Sequence, residues 1–94
     1  MADALRLDLF LWFARISSSR TFAQDLASKG HLRIDGRVVG KSAAPVRVGN
    51  VLTFANHRGE VRSLRVEALP VRRGPPEEAQ TCYTDLIDAA RPPT

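Results

Sequence analysis

Short apolar segments alternate with basic residues from residue 6 to residue 39, and this alternation most limits the fold. An apolar run over residues 9–14 ends at Arg15, and a second amphipathic segment over 20–29 ends at Lys29-Gly30. The hydrophobic period then changes from helical spacing to two, and Asp35-Gly36 has the composition of a tight hairpin turn. The region therefore predicts two short helices followed by a β-hairpin, with cations at the connections.

The two predicted helices differ in their apolar surface. Asp8 is a suitable N-cap for a first helix ending near Arg15. That helix is apolar on two sides, so we expect a sheet to cover one side and another part of the chain to cover the other. Three serines at 17–19 offer N-caps for the second helix, and Gly30 suits the position just past its end. The short link predicts a helix–turn–helix corner.

The middle of the chain predicts a small, mainly antiparallel sheet. Leu32 and Ile34 alternate with polar residues in a first strand, and residues 40–45 have the composition of a loop. A turn at Gly49-Asn50 leads into a strand over 51–55, and a last strand is expected over 60–69. The fold class indicated is α+β, with a helix–turn–helix pair packed on a twisted sheet.

The C-terminal part of the chain predicts a third helix after a proline-rich connector. Pro76 suits the first turn of a helix that continues from Glu77. Five residues form a stripe at helical spacing: Ala79, Cys82, Tyr83, Leu86 and Ala90. We expect this stripe to cover the Trp12 side of the first helix. The expected organisation is one domain over 5–69, with a linker and C-terminal helix over 70–94 packed on the same domain.

The charge distribution points to an anionic partner. The net charge is +4, and thirteen of the 14 basic side chains lie within residues 5–73, with only five of the 10 acidic ones. Lys29 and Lys41 are the only lysines. Arginine provides a planar fork for phosphates and stacks on bases, which suits structured RNA. A GC-rich genome accounts for the arginine bias equally well.

Several classes of protein find no support in the sequence. Cys82 is the only cysteine, so no disulfide forms within the chain, and a reducing, cytoplasmic setting is favoured. The N-terminal apolar run is too short to span a bilayer and lacks a signal-peptide pattern. His31 and His57 lack metal-ligand spacing, and neither paired carboxylates nor a nucleophile motif is present. We expect no catalytic residue, no metal, no cofactor and no membrane partner.

The corner between the two helices is the strongest candidate site. The N-terminus of the second helix exposes unpaired amides, and its dipole favours an anion. Arg15 and Arg20 flank this corner, and Ser19 adds a hydroxyl. A capped helix with solvated arginines is an equal alternative from these residues alone. Further cations shift the balance if the hairpin brings them onto one rim with the corner: Lys29, Arg33, Arg37 and Lys41.

The remaining basic and aromatic residues stay outside this predicted site. Arg72-Arg73 fits either an extension of the basic patch or a solvated linker. Four arginines belong to the strand half: Arg47, Arg58, Arg62 and Arg65. Trp12 is more consistent with core packing than with base stacking, because it lies in an apolar helix.

An ordered series of residues resembles the S4 RNA-binding domain. The series is Arg6-Leu7-Asp8, Leu11-Trp12, Arg15, Ser19-Arg20, Ala23, Gly30, Leu32, Ile34, Gly36, Lys41, Val48-Gly49 and Val51. Within that superfamily, a further set resembles the ribosome-associated heat-shock protein 15 group: Leu11-Trp12, Arg72-Arg73, Glu78-Ala79 and Tyr83. The domain pattern spans about residues 5–55, and the group likeness extends to about residue 86.

This resemblance implies an S4-like (αL motif) fold with RNA bound along the second helix, the adjoining loop and the hairpin. Carried onto matching positions, it implies RNA contacts from Arg6, Arg15, Ser19, Arg20, Lys29, Arg33 and Lys41. The reasoning from charge adds Arg37. The resemblance also implies rRNA, with tRNA as a second candidate, and the large ribosomal subunit as partner. The implied role is rescue of stalled subunits that carry a nascent chain on tRNA.

Three features depart from the family pattern. Asp35 stands where the family usually has Asn, and Asn50 stands where it usually has Asp. The long basic C-terminal extension of better-known members is missing, so affinity and rescue function are expected to differ. Two other functions remain open: a helix–turn–helix DNA-binding protein that reads bases through Gln24 and Ser28, and an accessory module for an RNA-modifying enzyme. A monomer is expected, because no dimerisation element is evident.

Overall fold

The computed structural model describes residues 3–55 and 58–86 and has the predicted α+β architecture. Its three helices are α1 (Leu7–Phe13), α2 (Arg20–Ser28) and α3 (Pro76–Gln80). Its strands are β1 (Leu5–Arg6), β2 (Leu32–Ile34), β3 (Arg37–Val39), β4 (Pro45–Val46), β5 (Val51–Ala55), β6 (Val61–Val66) and β7 (Tyr83–Asp85). All strand pairs are antiparallel. The predicted fold class is confirmed.

The larger sheet has five strands in the order β3-β2-β5-β6-β7, and α1 and α2 pack on one of its faces. Its buried side chains alternate along the strands, as the pleat requires. They form one hydrophobic core with the buried faces of α1 and α2. On the opposite face, called the open face below, Val38, Val61, Arg33 and Arg65 are exposed within the described part of the chain.

The start of α1 differs from the prediction, because Arg6 and not Asp8 occupies the N-cap position. Asp8 lies fully buried in the first turn, where its carboxylate accepts hydrogen bonds from Arg6 Nε at 3.1 Å, Arg6 Nη2 at 3.0 Å and the Leu9 amide at 2.8 Å. The Leu7 and Asp8 amides donate to carbonyls of the loop before β4, at 2.9 and 3.0 Å. These tertiary contacts satisfy amides at the helix start and fix it at Leu7.

The second helix and the hairpin agree with the sequence patterns. Ser19 caps α2 by accepting a hydrogen bond from the Phe22 amide at 3.0 Å. Asp35 and Gly36 have φ values of 51° and 85°, so both residues of the two-residue β2–β3 turn are left-handed. That geometry belongs to a type I′ turn, which matches the twist of the flanking strands.

Residues 40–45, predicted as a loop, contribute to a second small sheet. β4 pairs with β1, with Leu5 opposite Val46 and Arg6 opposite Pro45. Two-residue strands of this kind leave no alternating pattern in the sequence, since they depend on a partner far along the chain.

The predicted C-terminal helix is wrong at Tyr83–Asp85, which form a strand, whereas Leu86 is again helical and residues 87–90 lie outside the described residues. α3 ends at Gln80, Thr81 and Cys82 form a turn, and β7 then pairs with β6 so that Tyr83 lies opposite Val66. The physical reason is the free edge of β6, which gains backbone hydrogen bonds from a strand. Ala79 and Cys82 of the predicted stripe are buried, whereas Ala90 lies outside the described residues. Arg73 lies over the Trp12 ring, while Ala79 and Cys82 of the stripe line a cavity together with Phe13 of α1.

Candidate nucleic-acid interface

The corner between α1 and α2 is held by backbone and serine hydrogen bonds. The chain reverses at Arg15, whose φ is 59°, and the amides of Ile16 and Ser17 donate to the Leu11 carbonyl at 3.0 and 3.1 Å. Ser17 is buried, and its hydroxyl donates to the Ser19 carbonyl at 3.1 Å. These bonds fix the entry of the chain into α2, so its N-terminus has a defined direction.

The N-terminus of α2 is suited to an anion. The Ser19 hydroxyl satisfies the Phe22 amide, and the preceding first-turn amides have no acceptor within the helix. The partial positive charge of a helix N-terminus acts in the same direction. Arg20, the first residue of α2, is exposed. The geometry therefore supports the corner as a phosphate site.

Arg15 is attached to the C-terminal connector. Its Nε donates to the Gly74 carbonyl at 2.6 Å, while the residue as a whole remains exposed. A guanidinium has five N–H donors, so the two terminal nitrogens retain donors for a ligand. The bond to Gly74 holds the side chain at the corner and lowers the entropic cost of ligand binding.

Arg73 has a structural role that the sequence patterns did not indicate. Its guanidinium carbon lies 3.7 Å from the centroid of the Trp12 ring, and Nη1 donates to the Trp12 and Ser17 carbonyls. Partial burial, and secondarily the positive charge of Arg15, lower the pKa of Arg73, although a guanidinium stays protonated at neutral pH. Arg73 thus ties the connector to the corner and is neither a solvated linker residue nor a freely exposed extension of the basic patch.

Five of the predicted site residues are exposed cations without an ion pair among the described residues: Arg15, Arg20, Arg33, Arg37 and Lys41. The hairpin register separates two of them. Arg33 lies opposite Val38, whereas Arg37 lies opposite Ile34, one residue further along β2. Because neighbouring residues of a strand point to opposite faces, Arg33 and Arg37 do not share one outward face as predicted.

Two other predicted site cations have acidic neighbours. Arg6 is bonded to buried Asp8 through two nitrogens, so its charge compensates a carboxylate of the core. Lys29 lies 3.7 Å from Asp25, one helical turn earlier, and both side chains are exposed. A surface pair of this kind is weak, so Lys29 remains available to a phosphate.

Lys41 follows Gly40 in the loop that contacts the start of α1. It is close in sequence to Ser42, whose carbonyl accepts a hydrogen bond from the Asp8 amide.

Arg62 is not part of the predicted site, but the fold places it on the helix side of the sheet. It lies opposite Phe54 in the β5–β6 register, and its guanidinium carbon is 6.0 Å from the Phe54 ring centroid. Its Nη2 donates to Asp85 at 3.0 Å. The alternation of Arg62 with Leu64 and Val66, both buried, is the sequence feature that indicates this side.

The described residues contain no group of three or more His, Cys, Asp or Glu side chains able to hold a metal ion. Within the same residues, none of the helices has the length and hydrophobicity needed to cross a membrane.

The helix–turn–helix pair on a small antiparallel sheet defines the class of protein. The family model of the S4 domain matches residues 5–52, and the chain belongs to this family. The structure is also similar to that of Vibrio cholerae Heat Shock Protein 15, described as trimeric, with a TM-score of 0.79 and 26% identity. That match covers 90% of this chain and 84% of the other. No curated protein matches the chain.

Proposed function

We propose that this protein is a non-catalytic RNA-binding protein that binds rRNA of the large ribosomal subunit in the cytoplasm. The observation that carries the proposal is the exposed N-terminus of α2, with Arg15 held beside it and Arg20 as its first residue. Membership of the S4 family supports RNA as the anion. Three further exposed cations extend this surface along α2, the hairpin and the loop, namely Lys29, Arg37 and Lys41, whereas Arg33 lies on the opposite face of the sheet.

The mechanism is neutralisation of phosphates by a rigid arrangement of cations and amides. Contacts to the phosphate backbone position a protein without reading sequence, and structured RNA is recognised mostly by shape. Arg15 is fixed by its bond to the Gly74 carbonyl, and the α2 amides are fixed by the corner. The protein therefore selects RNA by the spacing of phosphates.

The cellular role proposed is rescue or recycling of stalled large subunits that still carry a nascent chain on tRNA. Its support is the structural similarity to Heat Shock Protein 15 together with the sequence resemblance to the ribosome-associated group. tRNA on such a subunit is a second candidate RNA.

Sedimentation with ribosomal particles tests this proposal. The purified protein is centrifuged with 70S ribosomes, free large subunits and free small subunits, at low and moderate salt. Selective co-migration with the large subunit is expected, and a tRNA-bearing subunit should retain more protein than an empty one. Duplex DNA and a hairpin RNA are added as competitors. Release by DNA and not by RNA would contradict the proposal and favour the DNA-binding alternative.

The number of chains in the active particle is part of the same proposal. A monomer is our expectation, whereas the Vibrio cholerae protein is described as a trimer. Light scattering after gel filtration, with and without hairpin RNA, measures the mass directly. A mass near 10.4 kDa without RNA agrees with a monomer, and about three times that mass contradicts it.

A further inference from the structure

A cleft of about 370 Å³ lies between the α1–α2 corner and the strands β5 and β6. Its volume is in the range of ligand sites, about 300–1,000 Å³. The lining comprises Arg15, Ile16, Ser17, Ser18, Phe22, Phe54, Arg62 and Arg73. Arg15 and Ser18 are exposed, while Ser17 and Phe54 are buried. The cleft therefore opens beside the proposed phosphate site.

The electrostatics of the cleft favour an anion. Three guanidiniums line it, from Arg15, Arg62 and Arg73, and no acidic side chain does so among the described residues. Each guanidinium is held by a protein acceptor: Gly74 O, Asp85 Oδ2 and Trp12 O respectively. Since each has further N–H donors, anchoring leaves donors free while it fixes the position of the charge.

The apolar lining of the cleft adds a flat surface to these charges. Phe22 is half-buried in the first turn of α2, and the buried Phe54 ring has the Arg62 guanidinium carbon 6.0 Å from its centroid. Aromatic rings and arginine planes are the surfaces on which unpaired bases stack. A group that is both anionic and planar matches this combination better than a simple inorganic anion.

From this arrangement we infer that the cleft binds one unpaired nucleotide of the bound RNA. Its phosphate contacts Arg15 and Arg62, and its base lies against Phe22. The α2 N-terminus, next to Ser18, binds a neighbouring phosphate, so the nucleotide enters from the strand that lies across the corner. The inference rests on the proposed RNA binding and specifies which feature of the RNA is recognised.

Two hairpin RNAs test the inference: one fully paired stem, and the same stem with a single bulged nucleotide. Binding is measured by fluorescence anisotropy at one fixed salt concentration. The wild-type protein is expected to prefer the bulged hairpin about tenfold, at the lower end of the effect of one base–aromatic stack. Phe22→Leu keeps an apolar side chain but removes the ring, and should reduce the preference to about twofold.

Arg62 and Asp85 separate a ligand-binding role from a structural one. Arg62→Gln and Asp85→Asn both break the same ion pair, so a purely structural role predicts that both weaken the preference for the bulge. Our inference predicts opposite directions: Arg62→Gln lowers the preference, whereas Asp85→Asn maintains or raises it because Arg62 becomes free. Arg65→Gln is the matched control, since Arg65 is on the same strand, is paired with Glu67 at 2.9 Å and lies on the open face. It should weaken both hairpins equally.

The outcomes distinguish the inference from the proposed function. Equal binding of both hairpins by the wild type would overturn the cleft assignment and leave RNA binding intact. Binding of neither hairpin would overturn both. A free nucleotide also carries a phosphate and a planar base, so binding of adenosine monophosphate is measured without RNA. Micromolar binding would assign the cleft to a free nucleotide and overturn the assignment to RNA. Thermal melts of each variant confirm that it is folded.

Discussion

Asp35, in the β2–β3 turn, and Asn50, directly before β5, are hydrogen-bonded to each other. Asn50 Nδ2 donates to Asp35 Oδ2 at 2.8 Å, and the Val51 amide donates to Asp35 Oδ1 at 2.8 Å. Asn50 Oδ1 accepts from the Arg47 amide at 2.7 Å. The resemblance to the S4 domain implied Asn and Asp at these two positions. The two departures from the family pattern are therefore a swap of Asn and Asp between two residues in contact. The swap keeps a single negative charge in the pair.

This exchange predicts a reversal by double substitution. Asp35→Asn alone places two amide nitrogens against each other, because Asn50 cannot turn without losing its bond to Arg47, and should cost about 1 kcal/mol. Asn50→Asp alone places two carboxylates in contact and should be destabilising above the pKa range of carboxyl groups. The double variant restores every donor–acceptor pair. Urea unfolding of the four proteins measures the coupling, and additive effects would contradict the account.

The Arg73–Trp12 contact predicts loss of stability and a change in fluorescence. Arg73→Ala removes the guanidinium over the ring and its bonds to two carbonyls, at a cost of about 2 kcal/mol in the free energy of unfolding. Trp12 is the only tryptophan, so its emission reports this site alone and should shift to longer wavelength as water reaches the ring. Arg73→Lys retains charge without the planar fork and should recover only part of the stability. Unchanged emission in Arg73→Ala would argue against the stacked geometry.

The Arg6–Asp8 pair predicts that one candidate RNA contact is also required for stability. Arg6→Ala leaves the buried Asp8 carboxylate without its cation, and we expect a cost of about 2 kcal/mol, since Arg6 itself is half exposed. Arg6→Ala combined with Asp8→Asn should be less destabilised than the sum of the single changes. Arg33→Ala, on an exposed side chain, is the control and should stay within about 0.5 kcal/mol of wild type. Equal stabilities of Arg6→Ala and Arg33→Ala would show that Asp8 does not depend on Arg6.

The packing of the C-terminal segment predicts a protected cysteine. Burial, and secondarily the charge of Glu78, raise the pKa of the Cys82 thiol, while a hydrogen bond with Thr81 opposes them. The thiol is therefore protonated at neutral pH, and its reaction with a disulfide reagent should be at least about a hundredfold slower in the native protein than in urea. The native rate should rise as pH increases through the alkaline range. Equal native and unfolded rates would mean that β7 does not hold Cys82 in the core.

Local patterns predicted those elements whose determinants are close in sequence. Ser19 and Gly30 delimit α2, and Asp35-Gly36 supplies the two left-handed residues of the hairpin turn. The patterns failed where a distant partner decides the structure. β7 forms because β6 offers a free edge, although residues 79–86 have helical spacing, and β4 exists only as the partner of β1.

The same distinction applies to the candidate site. The corner with Arg15 and Arg20 was predictable, because the first apolar run ends at Arg15 and three serines precede the second amphipathic segment. The sequence did not predict that Arg62 and Arg73 lie next to this corner. The position of Arg62 depends on strand register, and that of Arg73 depends on its contact with Trp12, 61 residues earlier in the chain. The charges of Arg33 and Arg37 favoured one common rim, but the strand register, which places them on opposite faces, depends on backbone pairing and separates them.

The measurement that tests RNA binding at the corner most directly is the salt dependence of hairpin RNA affinity for wild type and Arg20→Glu. If about six phosphates are engaged, the log–log slope should be near −4 with single-strand character. Arg20→Glu should weaken binding about tenfold or more with an unchanged melting temperature, because Arg20 is exposed at the α2 N-terminus. Arg65→Glu controls for the change in net charge. A slope near zero, or equal affinities of wild type and Arg20→Glu, would contradict the account.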